Sequence, residues 1–187
     1  DGALAYALTR ARRPRRIIEI GSGHSTRFLA AAIRDGGLDT RLHSIDPKPR
    51  REIDALCAVV TREPLSRAHD ALITSLEAGD FLFIDSSHVA QPGTDADRLI
   101  GELLPALARG VVVHIHDVFL PFGYPAAWRW RGYNEQNAVL AMLGGGERWA
   151  VLAASAWLRR RRPEAAARVL APCPAGAREA SLWLERR

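Results

Sequence analysis

The chain has 187 residues, 48% of them hydrophobic and 25% charged, and its 26 basic residues against 21 acidic ones give a net charge of +5. That length supports one full hydrophobic core but not two, so a single domain spanning 1–187 is expected. No apolar stretch is long enough to cross a bilayer, no signal-peptide pattern opens the chain, and Cys57 and Cys173 are too few and too far apart for a disulfide framework; a soluble protein in a reducing, cytoplasmic setting with no membrane partner is expected.

Leu4, Ala5 and Leu8 recur at helical spacing until Pro14, which predicts a first helix over 1–11. Arg10, Arg12, Arg13, Arg15 and Arg16 cluster behind it, and Arg159 to Arg162 form a second run. Such clusters can mark a nucleic-acid footprint, but neither has interleaved aromatic residues on which bases could stack, so a solvated surface is favoured over a nucleic-acid partner. From Arg16 to Thr26 a short apolar run breaks into Gly21-Ser22-Gly23 and reopens as an alanine-rich pattern, which reads as strand (about 16–21), tight turn and helix (about 24–34).

Asp35-Gly36-Gly37 stops that helix, and a second strand over 41–45 runs into Asp46-Pro47. A short helix over 50–57, a strand over 58–61 and a helix over 66–77 follow. Phe81-Leu82-Phe83-Ile84, closed by Asp85, has the continuous apolar character of a strand buried on both faces. A helix over 95–109 leads to Gly110 and the strand Val111 to His116, with Asp117 at its end. The 119–133 segment is a long loop rich in Pro, Gly, Trp and Tyr, 134–143 is a helix stopped by three glycines, and 149–156 and 181–184 read as closing strands. The alternation predicts an α/β fold: a doubly wound, mostly parallel seven-stranded sheet with helices on both faces.

In such a sheet ligands bind beyond the carboxyl ends of the strands, beside the point where strand order reverses. Those ends present Glu19 and Gly21, then Asp46, then Asp85, then His116 and Asp117. The glycine turn lets backbone approach a ligand, and Glu19 offers a carboxylate for an ammonium or hydroxyl. Asp46 lies about twenty residues past Gly23, where an acid in this fold grips ribose hydroxyls. Thr26 stands where a dinucleotide fingerprint wants a third small residue, which weakens NAD, and no GxxxxGK[ST] loop is present.

An acid-x-Gly-x-Gly turn with an acid at the next strand end resembles the class I S-adenosylmethionine (SAM)-dependent methyltransferases. The segments Phe83-Ile84-Asp85-Ser86-Ser87-His88 and His114-Ile115-His116-Asp117-Val118-Phe119-Leu120-Pro121, with Trp130 and Asn134-Glu135-Gln136, are more specific. They resemble a bacterial family of that fold, the type 24 methyltransferase domain, over nearly the whole chain. The resemblance implies the Rossmann-like methyltransferase fold, with SAM held at Glu19, Gly21, Ser22, Gly23 and Asp46.

His114 and His116 share one face of an apolar strand, and burying two imidazoles is costly without partners, so both are expected to be paired. Asp85, His116 and Asp117 offer two carboxylates and an imidazole at neighbouring strand ends, a set that suits a divalent cation. The arrangement is similar to that of metal-dependent O-methyltransferases, in which a magnesium-type ion (Mg or another divalent cation) sits at these ends, although His116 departs from their acid pattern. A metal held by Asp85, His116 and Asp117 would lower the pKa of a substrate hydroxyl; without one, His116 would serve as general base. His88 is either a third ligand or a loop residue.

The expected activity is O-methylation of a small-molecule or sugar hydroxyl. Two other readings stay open: a metal-dependent oxygenase whose facial triad is drawn from His88, His116, Asp85 and Asp117, and a non-catalytic SAM-binding module. Phe122, Tyr124, Trp128, Trp130 and Tyr133 could wall an acceptor lid or form a contact in a homo-oligomer. The adenine contact is expected near 61–63.

Overall fold

The computed structural model describes residues 1–170 and 178–187; Cys173 lies outside them, and Cys57 is a free thiol. Among the described residues, seven strands form one sheet: β1 (Arg16–Ile20), β2 (Arg41–Ile45), β3 (Val59–Thr61), β4 (Phe81–Ile84), β5 (Val112–Ile115), β6 (Trp149–Ala154) and β7 (Leu182–Arg186). Their order is β3-β2-β1-β4-β5-β7-β6. The first five are parallel, and β7 slots antiparallel between β5 and β6. The doubly wound, mostly parallel sheet read from the sequence is therefore the architecture observed.

Side-chain alternation gives the sheet two apolar faces. Ile18, Ile20, Leu82, Ile84, Val113 and Ile115 pack with Ile73, Leu99, Leu103 and Val139 on one side. Ile17, Leu42, Phe81, Phe83 and Val112 pack with Leu4, Ala5 and Leu29 on the other. The helices α1 (Gly2–Arg12) and α2 (His24–Gly36) supply that second layer. Every residue of β4 and β5 is buried, which is why both read as uninterrupted apolar runs apart from His114.

Three local expectations are revised. The 50–57 segment is a set of turns around the fully buried Ile53, whose carbonyl accepts from Leu56 and Cys57 at 2.8 and 3.2 Å; a piece this short cannot sustain helix nucleation. The 66–77 helix shrinks to a 3₁₀ turn (Arg67–His69) and α3 (Asp70–Thr74), because the Arg16 guanidinium binds the Ser75 carbonyl and the Asp80 carboxylate takes the Glu77 amide. The 95–109 helix is shorter and composite: α4 (Asp95–Arg98), a π turn (Leu99–Leu103) and α5 (Leu104–Ala106), with Pro105 unable to supply an amide to a regular α ladder. The long loop also contains a 3₁₀ turn, Ala126–Arg131, ahead of α6 (Glu135–Gly144). Between β6 and β7 lie α7 (Ser155–Arg161) and α8 (Pro163–Val169).

Strand order reverses at β1, with β2 on one side and β4 on the other, so the segments leaving β1 and β4 part and open a crevice. The register levels its floor. Ile20 pairs with Ile45 and with Ile84, and Ile84 pairs with Ile115. One further ladder bond continues past each end: Gly21 to Ile45, Asp85 to Ile20 and His116 to Ile84, at 2.8 to 2.9 Å. Gly21, Asp46, Asp85 and His116 consequently stand in one row. Among the described residues no helix is long and apolar enough to cross a membrane.

Candidate active site

The row begins at the glycine turn. Gly21 has φ +76, and a Cβ there would lie 2.1 Å from the Asp85 carbonyl oxygen, so only glycine lets the turn rest against the end of β4. Ser22 then donates both its amide and its hydroxyl to one oxygen of Asp46, each at 2.7 Å, while the other Asp46 oxygen accepts from the Lys48 amide at 2.7 Å. The carboxylate thus bridges the ends of β1 and β2.

Glu19 faces the other way. Strand parity places it with Ile17 on the α2 side, fully buried, where its two oxygens accept from Ser25 Oγ and Thr26 Oγ1 at 2.7 Å each. Thr26 Oγ1 in turn accepts from the Gly23 amide at 3.0 Å, so Glu19 braces the turn from behind. Burial outweighs the hydroxyl hydrogen bonds and pushes its pKa up to about 7, with the charge of Asp85 adding to the rise.

Two adjoining cavities open above the row. The larger, about 570 Å³, is lined by Gly21, Ser22, Asp46, Lys48, Arg50, Pro64, Leu65, Asp85 and Asp95. The smaller, about 210 Å³, is lined by His24, Phe28, Phe83 and His116, and shares Ser22, Arg50 and Asp85 with the first. Of the expected cofactor residues, Gly21, Ser22 and Asp46 line the larger cavity; Glu19 and Gly23 line neither. Of the expected catalytic residues, Asp85 faces both cavities and His116 the smaller one, whereas Asp117 lies just behind, 8% exposed.

His88 ties the acids together. Its Nε2 lies 3.2 Å from Asp85 Oδ1 and 3.7 Å from Asp117 Oδ2, and its Nδ1 lies 2.5 Å from Glu135 Oε1. Burial would lower its pKa, but the hydrogen bonds to Asp85 and Glu135 and their charges win and push it up to about 10. For Asp85, burial is opposed by the His88 hydrogen bond and by the charges of His116, His88 and Arg50, which together hold its carboxyl below the usual range. His116 Nε2 is 3.5 Å from Asp117 Oδ1. His88 and Asp117 both have positive φ, +62 and +53, a backbone region that side-chain-bearing residues rarely adopt.

Asp85, His116 and Asp117 are therefore neighbours, but the His88 ring stands against both aspartates. Among the described residues no group of three or more His, Cys, Asp or Glu side chains is arranged to hold a metal ion. In this arrangement the donors expected for a divalent cation, and for the iron triad of an oxygenase, do not fit one.

His114 departs from the expectation that both strand histidines are paired. It is 1% exposed and neither ring nitrogen has a hydrogen-bond partner among the described residues. Its ring stacks on Phe83 at 3.7 Å and lies 4.8 Å from Trp183. Burial, then the charge of His116, holds its pKa well below the usual imidazole value, so it sits in the sheet as a neutral aromatic ring.

Sequence reasoning missed Glu135, 1% exposed at the start of α6, which also accepts from Ser86 Oγ at 3.0 Å. The signal was the Asn134-Glu135-Gln136 triplet. Asn134 takes the Ala90 amide at 2.6 Å, and Gln136 takes the Phe119 amide at 3.0 Å, so consecutive side chains pin the segments that follow β4 and β5. The aromatic loop packs on itself: Phe119, Tyr124, Trp128 and Tyr133 meet at 5.2 to 6.1 Å between ring centres. None of these rings lines either cavity, and Trp130 is 80% exposed. In the first arginine cluster Arg12 pairs with Glu185, Arg15 with Glu77 and Arg16 with Asp80.

Residues 18–118, which run from within β1 to just past β5 and include both cavities' strand ends, match the family model described as a methyltransferase domain. The chain belongs to the methyltransferase domain family. Solved structures similar to this methyltransferase include the O-methyltransferase TomG from Streptomyces achromogenes in complex with SAM, at 20% identity and a TM-score of 0.57, covering 99% of this chain and 78% of that one. The O-methyltransferase from Bacillus cereus in complex with S-adenosylhomocysteine (SAH) is 17% identical with a TM-score of 0.57, covering 100% and 80%. SAH-bound PaMTH1 from Podospora anserina is 18% identical with a TM-score of 0.56, covering 100% and 77%. At these identities the likeness is one of fold. No curated protein matches the chain.

Proposed function

We propose that this methyltransferase uses SAM to methylate a hydroxyl oxygen on a small molecule, sugars included. The observation that carries the reading is the Ser22–Asp46 contact. The turn amide that would cradle a phosphate is already given to a carboxylate, so the pyrophosphate of a dinucleotide would meet a negative charge there. A nucleoside without phosphate and with a cationic arm suits a cavity lined by three acids, Asp46, Asp85 and Asp95, against two cations, Lys48 and Arg50. Its volume of about 570 Å³ falls in the range of small-molecule pockets. The SAM and SAH named with the similar structures support the same choice.

Asp46 would accept hydrogen bonds from the ribose hydroxyls, and Pro64 and Leu65 would wall the base, just past the expected 61–63. Glu19 would act on the ligand indirectly, by fixing the turn. When bound, SAM supplies an electrophilic methyl group on a sulfonium and departs as the neutral thioether SAH. His116, at the wall of the smaller cavity, would accept the acceptor's hydroxyl proton as the oxygen's electron pair forms the new bond to carbon. Phe28 and Phe83 would provide apolar walls, and Asp85, between the two cavities, would place negative charge beside the cationic centre.

The test is transfer of isotopically labelled methyl from SAM to a panel of phenols, sugars and aliphatic alcohols, with product mass identifying the methylated atom. Labelled O-methyl product supports the reading. Binding of NAD in preference to SAM overturns it.

A further inference from the structure

We infer that His88 stands where a divalent cation would have to sit, and that this methyltransferase organises its strand-end carboxylates with that side chain and without a metal. The inference rests on the proposed methyl transfer and concerns how the same site is held together.

The ring is wedged among three carboxylates from three separate segments: Asp85 after β4, Asp117 after β5 and Glu135 on α6. Carboxylates only accept hydrogen bonds, so with Glu135 at Nδ1 and Asp85 at Nε2 the ring donates on both sides and keeps no lone pair for a metal. A divalent cation would need the aspartate oxygens drawn in to about 2.0–2.6 Å around a common centre. Here the Nε2 atom is itself the common centre, 3.2 and 3.7 Å from one oxygen of each aspartate.

The placement is built from several directions. The His88 carbonyl accepts from the amides of Asn134 and Glu135 at 3.0 and 3.3 Å, so the main chain is fixed by the same helix start that supplies the carboxylate to Nδ1. The Tyr133 ring packs 4.5 Å away, and the side chain is 6% exposed. Turning the ring aside to admit a metal would forfeit the Glu135 contact and leave that buried carboxylate with only the Ser86 hydroxyl and no charged partner. His88 is thus a positioning residue for Asp85 and Asp117, doing with fixed hydrogen bonds what an exchangeable ion would do by coordination.

The probe is manganese(II) chloride, followed by electron paramagnetic resonance on the wild-type chain and on His88→Ala, with SAM affinity and a thermal melt measured on the same samples. Wild type is expected to leave manganese free at millimolar concentration and to keep full methyl transfer in excess chelator. His88→Ala, which strips the ring from among three carboxylates, is expected to bind one manganese at least about tenfold more tightly than wild type. His88→Gln, which can donate to only one side, is expected to lower kcat by a larger factor than it weakens SAM binding, and equal turnover in this variant would overturn the positioning role. One manganese bound per wild-type chain at micromolar concentration overturns the inference, as does loss of transfer in chelator; neither result needs a variant that folds. A failure to bind SAM would instead overturn the proposed function, so the two are separable.

Discussion

Ser22 gives its amide and its hydroxyl hydrogen to the same oxygen of Asp46, at 2.7 Å each, and so closes the glycine turn onto the end of the neighbouring strand. Two strand ends become one wall of the larger cavity, and the wall is acidic. The backbone geometry and the electrostatics of the proposed cofactor site are therefore set by one contact.

The turn depends on a missing side chain. Gly21→Ala would place a methyl group 2.1 Å from the Asp85 carbonyl oxygen in a backbone conformation unfavourable for alanine, and neither β1 nor β4 can give way inside a packed sheet. A loss of at least ~2 kcal/mol is expected. Urea denaturation of the two proteins reads it directly, and a loss below about 0.5 kcal/mol would contradict the geometry.

Stability should fall as pH rises through the range set by Glu19. Its folded pKa, about 7, lies above the ordinary carboxyl value of 4.5, so between the two the native state holds a proton that the unfolded chain releases. The contribution of Glu19 is complete below about pH 4.5 and is lost by about pH 7, on the order of 3 kcal/mol. His88 extends the decline: its stabilisation is complete below 6.5 and is lost as pH rises through about 10. Urea melts between pH 5 and 9 check both, and Glu19→Gln should flatten the lower limb while leaving the upper one.

His116→Ala should cut kcat by roughly a hundred- to ten-thousandfold, the usual worth of a placed general base, with SAM affinity unchanged. Single-turnover transfer together with a binding isotherm separates the two effects. Equal turnover in the variant would move the proton acceptor elsewhere.

His114, two residues earlier on the same strand, should behave differently. Its nitrogens make no hydrogen bonds and its ring is used for stacking on Phe83, so His114→Phe keeps the contact and removes two buried polar atoms. The variant should melt within about 1.5 kcal/mol of wild type or above it. A larger loss would mean that the ring has a polar partner after all.

The row at the strand ends was legible because β1, β2 and β4 are short runs ended by Gly21, Asp46 and Asp85, with His116-Asp117 after β5, and a parallel sheet aligns such ends. What was not legible depended on contacts across long sequence distance or on strand parity. Glu19 sits at a strand end and reads as a ligand residue, yet parity points it at α2, where Ser25 and Thr26 meet it. His88 and Glu135 are forty-seven positions apart, and no local pattern joins them. Nor does hydrophobic periodicity reveal that β7 enters the sheet between β5 and β6.

Whether the crevice beside Gly21 holds SAM or a dinucleotide is decided by calorimetric titration of wild type and Asp46→Ala with SAM, SAH and NAD. The chain is expected to bind one SAM or SAH, to give no heat with NAD, and to lose about ten- to a hundredfold in SAM affinity in Asp46→Ala through the loss of charge-assisted hydrogen bonds. Tight binding of NAD with none of SAM, or SAM affinity indifferent to Asp46, would contradict the proposed SAM site.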